Sequence, residues 1–494
     1  MLISGLALGA VLGFVMQRGR FCVTGFLRDI FTQRSWRGFV SLLIVISVHA
    51  IGLAALTSAG VITPEYNELA PLAVIVGGVI FGLGIVLAGG CASGTWYRSG
   101  EGLIGSWIAL VFYALSAAAM KTGFLNGLQD SLKERTVGLT SIHASLGISI
   151  WPLVIALSAV TAYFAVRFLR EEFSGPRPAT LAPRKSGLAH ILTEKAWHVY
   201  ATAAIVGVLG VIAWPLSAAT GRNDGLGITT PSSNLANYVV TGDTERFDWG
   251  VLLVLGILVG SFIAAKASGE FRLRVPDATQ GARSVVGGIF MGVGAAWAGG
   301  CTVGNGMVQT SLFSYQGWLA LASIAAGVAI AAKLWLKPSA SSLNDVPSTP
   351  STTNDTAVSA TAPVTSAAAS PVSLPGSEGA GVAGTEASPL AGAFTVAPVA
   401  LLDRSVVKQE DGKLKPLGDG RYELDTVGAV CPFPLIEAKD AINKIEVGEE
   451  LVIPFDCTQA TDAIPRWAAK DGHEVTNFEQ TGEAGWTISV RRGK

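Results

Sequence analysis

The chain has 494 residues, 50% of them hydrophobic and only 14% charged, with 59 glycines and a formal net charge of −1. This length exceeds one ordinary globular core, and so apolar a composition argues for a membrane protein, while the near-neutral charge singles out no charged partner. The five cysteines, Cys22, Cys91, Cys301, Cys431 and Cys457, are odd in number and widely spaced with no CxxC pair, which points to neither a disulfide framework nor a zinc site and reads as free thiols.

The N-terminus is apolar almost from Met1 without a basic region or a cleavage site, so it reads as a first membrane span rather than a signal peptide. A span needs about 20 apolar residues, and candidates fall at roughly 2–17, 37–60, 69–90, 102–121, 148–168, 199–219, 248–267, 283–300 and 316–336. The first and eighth are short, as expected of broken or re-entrant pieces. Basic residues crowd the loops after spans one (Arg18, Arg20, Arg28, Arg34, Arg37), five and seven, whereas the loop after span two carries Glu65 and Glu68. By the charge rule for short loops, the basic ones face the cytoplasm and the N-terminus lies outside.

Within this region an 18-residue stretch occurs twice. Gly77–Gly94 reads GGVIFGLGIVLAGGCASG and Gly287–Gly304 reads GGIFMGVGAAWAGGCTVG, with nine identities at a constant offset of 210, Cys91 and Cys301 among them. Five crossings separate the copies, so they run antiparallel, the mark of an inverted repeat whose halves meet near the bilayer midplane. After Pro338 the composition turns to Ser, Thr, Ala, Pro and Gly; residues 338–400 cannot bury a core and read as a disordered linker with a reach on the order of 40 Å. The tail, residues 401–494, reads as βαβαββ, a small α+β two-layer sandwich.

The motifs carry the chemistry. Gly89-Gly90 is a poor helix continuation, so a new helical piece should start near Cys91 and offer Ser93 and backbone N–H groups to an anion. Cys301, Thr302 and Asn305 supply the same arrangement from the other half. The glycines have a second reading, in which they only pack helices. Cys22 lies in Gln17-Arg18-Gly19-Arg20-Phe21-Cys22, where Arg18 and Arg20 mark a candidate anion vestibule or else set topology at the lipid phosphates. Carboxylates would repel an anion and a midplane arginine would hold it too tightly, whereas a neutral thiol is a weak, soft donor suited to a soft sulfur atom. In the tail, Cys431-Pro432-Phe433-Pro434 places a thiol at a helix start, where its thiolate is favoured and could hold sulfur as a persulfide. Cys457, at the end of a strand, is a candidate to receive or resolve that sulfur, or an unreactive strand-end thiol.

The stretches AGGCASGTWYRSGEG, AGGCTVGNG and RGRFC resemble the YeeE/YedE family of sulfur-compound transporters over residues 1–337, and Cys431-Pro432-x-Pro434 resembles the TusA-like (YeeD) sulfur carriers over about residues 420–494. The spans and repeats read as an α-helical polytopic membrane protein of about nine spans with inverted repeats and broken helices, and the resemblance implies substrate contacts at Cys22, Cys91 and Cys301. Family members often carry His where this chain has Asn305. It further implies thiosulfate uptake across the bacterial inner membrane, with the tail docked beneath on the cytoplasmic side and sulfurtransferase or thiosulfate-decomposing activity at Cys431. Neither a cofactor, a metal nor a nucleic-acid partner is implied. The competing readings are a membrane thiol-disulfide oxidoreductase, for which the spacing supplies no cysteine pair within either motif, and a transporter of another sulfur or selenium oxyanion.

Overall fold

The computed structural model describes residues 2–336 and 414–493. Lys337, the expected linker 338–400 and residues 401–413 lie outside the described residues. The helices run α1 (Ile3–Arg18), α2 (Val23–Thr32), α3 (Arg37–Ser58), α4 (Pro71–Leu87), α5 (Ala92–Gly100), α6 (Ile104–Lys121), the short α7 (Asn126–Lys133) and α8 (Ile142–Leu146), α9 (Trp151–Ser174), α10 (Gly187–Thr193), α11 (Val199–Ala218), α12 (Thr229–Thr241), α13 (Trp249–Ser268), α14 (Ala278–Ala298) and α15 (Tyr315–Trp335). Among the described residues eight helical segments are long and apolar enough to cross a membrane, with α1–α2 and α4–α5 each counted as one interrupted segment of 30 residues.

Each of the nine expected spans has a helix. The eighth differs from its expected length, because α14 has 21 residues rather than a short piece from 283. Asp277 caps it by accepting from the Gln280 N–H at 3.3 Å, so the polar first turns with Thr279, Gln280 and Arg283, which an apolar window discards, are helical. On α9 only Val154 and Thr161 are buried; it meets α3 through the hydrogen bond from Ser47 to Thr161 at 2.8 Å.

The repeated glycines sort onto two faces. A Cβ on Gly77 would lie 2.5 Å from Ala298 N and 2.7 Å from Gly294 O, and one on Gly287 would lie 2.5 Å from Ala88 N and 2.9 Å from Gly84 O. Gly77 and Gly84 therefore press α4 against α14, in antiparallel order, and their copies Gly287 and Gly294 do the same from the other side. Gly78 and Gly82 face Ser323 to Val328 of α15, while their copies Gly288 and Gly292 face Ala109 to Ala117 of α6. One sequence motif thus builds two helix pairs related by inversion, at backbone separations that no side chain fits. Along α1 and α13 the contacts climb together, Gly5 with Trp249 and Gly13 with Ile257, so these two run parallel. All of these directions agree with nine long helices that alternate in direction along the chain, eight of them in segments long and apolar enough to cross a membrane.

The tail contains β1 (Leu414–Gly418), β2 (Arg421–Leu424), α16 (Phe433–Ile442), β3 (Glu450–Phe455), α17 (Ala460–Asp471), β4 (Glu474–Gly482) and β5 (Gly485–Arg491), in sheet order β1-β2-β3-β5-β4. Only β2 and β3 pair in parallel. The expected βαβαββ is preceded by one further strand. Its connection is a two-residue hairpin, Asp419-Gly420, with both residues at positive φ (52° and 69°), the left-handed geometry an Asp-Gly pair favours. One core joins Leu435, Ile442, Ile464 and Trp467 of the helices to Leu451, Ile453, Ile488 and Val490 of the sheet.

Candidate functional site

The site is organised by two mirrored interruptions. After α4 the chain turns at Gly89 with φ of +72°, and after α14 it turns at the equivalent Gly299 with φ of +79°. A Cβ would strain both turns, which explains glycine at these positions. Cys91 follows in extended conformation as the residue capping α5, and Cys22 occupies the same place before α2. Both thiols are buried, and they hydrogen-bond each other. They flank Gly94, where a Cβ would lie 3.4 Å from the Cys91 sulfur and 3.9 Å from that of Cys22. The Ser93 hydroxyl lies 3.4 Å from the Cys91 Sγ. Cys22, which has no copy in the second half, therefore joins the first.

The second copy departs from the first beyond its cysteine. Cys301 is 1% exposed and accepts from the Val303 N–H at 3.4 Å, after which Gly304–Gln309 wind as one π-helical turn rather than an α-helix. Such turns are rare and recur at functional sites. Among the described residues the buried Thr302 hydroxyl has no hydrogen-bond partner. Asn305 is committed. Its amide donates to Ala298 O at 2.8 Å and Gly300 O at 2.9 Å, and its Oδ1 accepts from Gln316 Nε2 at 3.1 Å, which clamps the turn. Tyr113 of α6 is an electrostatic neighbour of both Cys91 and Cys301 and donates to Thr229 Oγ1 at 2.8 Å. Gly304 borders open space, with nothing within 4 Å of a Cβ there.

Sequence reasoning missed Arg98. Its guanidinium donates to the Gly89 carbonyl exposed by the helix break and to the Cys22 sulfur at 3.8 Å. The expected thiol path without a fixed cation is amended accordingly: one arginine stands beside it, tied to backbone. The signal was present, since Cys91 and Arg98 are seven apart and share a helix face. Arg18 and Arg20 converge on Glu270, at 3.4 Å and 3.2 Å, and Arg18 also donates to Lys195 O at 3.1 Å. Burial would raise the Glu270 carboxyl, but Arg20 and Arg18 outweigh it and hold the group below its ordinary range. Nearby Glu101, likewise unforeseen, is pushed up to about 7 by burial and by the Glu270 charge. Arg20 also donates to the Thr461 hydroxyl of the tail.

In the tail, Pro432 rather than Cys431 takes the cap position of α16, with Pro434 in the first turn. Cys431 and Cys457 form a disulfide with Cα atoms 6.2 Å apart, which corrects two expectations at once, that all five thiols are free and that no pair exists within a motif. Three free cysteines remain, Cys22, Cys91 and Cys301. The cause is topological: β2 and β3 are adjacent and parallel, so the loops leaving their carboxyl ends lie side by side. Thr426 Oγ1 donates to Pro454 O at 2.9 Å and the Gly428 N–H to Asp456 Oδ1 at 3.0 Å, binding one loop to the other. Among the described residues no cluster could hold a metal.

A family model described as sulphur transport matches residues 18–330, and one described as sulfurtransferase TusA matches residues 422–492. The chain is similar to the thiosulfate transporter TsuA of Escherichia coli K12, 51% identical over 328 residues, covering 66% of this chain and 93% of that one. It is 32% identical over 337 residues to the protein of the same name from Spirochaeta thermophila, covering 65% and 94%. The tail is 59% identical over 70 residues to the putative sulfur carrier protein TsuB of Escherichia coli K12, covering 14% of this chain and 93% of that one.

Proposed function

The chain belongs to the sulphur-transport family and carries a TusA domain at its C-terminal end, and from this membership we propose that it takes up thiosulfate across the bacterial inner membrane and passes sulfur to its own tail. The reading rests on one observation above all: three buried free thiols stand at two inverted helix breaks, Cys22 against Cys91 in one and Cys301 in the other. Neutral thiols with Ser93, Thr302 and the Arg98 guanidinium offer an anion with a soft terminal sulfur weak, successive contacts, favourable enough to enter and weak enough to leave. The basic loops support an outside N-terminus and a cytoplasmic tail. We take residues 1–337 as the transporter, 338–400 as the tether and 401–494 as the sulfur-handling domain.

Docking of that domain on the transporter is supported by the Arg466–Glu172 ion pair at 2.8 Å, the Arg20 contact with Thr461 and the bond from Ala484 N–H to Gly269 O at 3.0 Å. In its dithiol form, the Cys431 thiolate attacks the outer sulfur of thiosulfate; a new S–S bond forms, the old one breaks and sulfite leaves with the electron pair. Cys457 then displaces hydrogen sulfide from the persulfide and closes the Cys431–Cys457 disulfide. A cellular dithiol restores the starting state. The test is thiosulfate-dependent growth and labelled uptake in cells lacking other sulfate and thiosulfate routes. Cys91→Ala and Cys301→Ala, at normal abundance, should abolish uptake; parent-like uptake in both would refute the thiol path.

The Cys431–Cys457 pair and the contact between Cys22 and Cys91 favour a second reading, a membrane thiol-disulfide oxidoreductase. Non-reducing mass mapping separates the two readings, because turnover-dependent bonds among Cys22, Cys91 and Cys301 belong to the oxidoreductase alone.

A further inference from the structure

We propose that the tail-facing end of the path holds a second anion site, formed by Thr24 and Arg28 of α2 with Gln280 and Arg283 of α14, which grips the sulfonate end of the anion and presents its outer sulfur to Cys431. The inference rests on the handover reading above and deepens it by naming the residues at which the anion waits.

These four side chains, with Gly89 and Cys431, line one small cleft. About 20 Å³ of it is open to the centre of a water-sized sphere, more than the ~10–15 Å³ that one water needs, so it admits a small ion and not an organic molecule. The Thr24 hydroxyl, in a residue 2% exposed, has no hydrogen-bond partner among the described residues. A buried hydroxyl left unpaired in an otherwise satisfied helix marks a place where something else supplies the partner. Arg28 shares its charge with Asp29 at 3.0 Å, while Arg283 has no ion pair or hydrogen bond among the described residues. The group therefore carries one uncompensated positive charge together with hydroxyl and amide donors, which suits a sulfonate.

The cleft also stands in sequence with the thiols. Gly89 closes it on one side, with Val430 of the tail 3.1 Å from the position of a Cβ there, and Gly89 is two residues from Cys91. An anion leaving Cys22 and Cys91 meets this cleft next. With its oxygens on Thr24, Gln280 and Arg283, the outer sulfur is the atom left to face Cys431. The attack written above then forms the bond from Cys431 to that sulfur and breaks the bond to the sulfonate. The developing sulfite charge falls on donors already aimed at it, and no oxidant or reductant enters the step.

The experiment uses the full-length protein in lipid nanodiscs, reduced beforehand and freed of reductant, with Cys457→Ser as the parent background so that the persulfide is not resolved, and follows persulfide at Cys431 by mass after addition of thiosulfate. Arg283→Gln should slow loading at least ten-fold, Thr24→Val about three-fold, and Arg283→Lys should stay within about three-fold of the parent, which separates lost charge from lost folding. Sulfate, an unreactive tetrahedral dianion, should compete in the parent and lose its effect in Arg283→Gln. If the parent loads and Arg283→Gln and Thr24→Val load equally fast, the subsite is wrong and the handover stands. Failure of the parent to load at all refutes the handover, and the subsite with it.

Discussion

Replacing Gly77 by alanine tests the inverted packing that positions both thiol sites. The new Cβ would lie 2.5 Å from Ala298 N and 2.7 Å from Gly294 O, both backbone atoms that cannot rotate away. Ordinary contact is about 3.5 Å, so α4 and α14 must part by roughly 1 Å, and a gap of that size forfeits up to about half of each surrounding contact. Overpacking of this kind typically costs about 1–3 kcal/mol. Gly294→Ala meets Phe81 N at 2.5 Å and Gly77 O at 2.7 Å and demands the same separation. The double variant should therefore cost less than the sum of the singles, with a coupling of about 1 kcal/mol. Gly304→Ala, in the same motif but with nothing within 4 Å, serves as the control. Thermal and denaturant unfolding in detergent, followed by tryptophan fluorescence, should rank the control with the parent and both singles below it. Parent-like stability in Gly77→Ala, or strict additivity in the double, would refute the close antiparallel crossing.

Three further outcomes follow from the same geometry. Glu101 has an ordinary value of 4.5 and is pushed up to about 7 by burial and Glu270; the unfolded chain therefore loses this proton first, and stability should fall by up to about 3 kcal/mol between pH 4.5 and 7. Glu101→Gln should flatten that dependence in melting curves across the range, and an unchanged slope would show that the group ionises freely. Asn305→Ala removes both donors that clamp the π-turn and leaves buried carbonyls unpaired, so a loss of about 1–3 kcal/mol is expected in the same assay. Arg466→Glu sets two carboxylates against each other at Glu172, and should slow sulfur loading of Cys431 while leaving the tail folded by circular dichroism; full-speed loading would show that this contact does not dock the tail.

What could be read in advance divides along the range of the interactions. Eight of the nine expected spans coincide with helices long and apolar enough to cross a membrane, because such a helix writes its length into about 20 successive apolar residues, and the repeat declared its inversion through crossing parity. The same glycines carried two meanings that the sequence left joined: Gly77 and Gly84 face α14 and its backbone, whereas Gly78 and Gly82 face α15. The start of α14 was hidden by polar turns that a hydropathy window rejects. The additional strand β1 has its signal in Asp419-Gly420, a pair suited to a two-residue hairpin. Contacts made across the fold were harder to read: Cys22 meets Cys91 across 69 residues, whereas the approach of Cys457 to Cys431 across 26 was anticipated as sulfur transfer and not as a disulfide. The second pairing follows from the parallel register of β2 and β3, which a list of strands in chain order does not specify. Arg98 was the avoidable omission, since its helical spacing from Cys91 already placed it on the thiol face.

The most direct test of the thiol path is the position of bound thiosulfate in an experimental density map of the full-length protein. The account predicts the outer sulfur within about 4 Å of the Cys91 or Cys301 sulfur, an ordinary contact distance, with sulfonate oxygens toward Ser93, Thr302 or Arg98. An anion held only by arginines, with its outer sulfur away from both thiols, would contradict it.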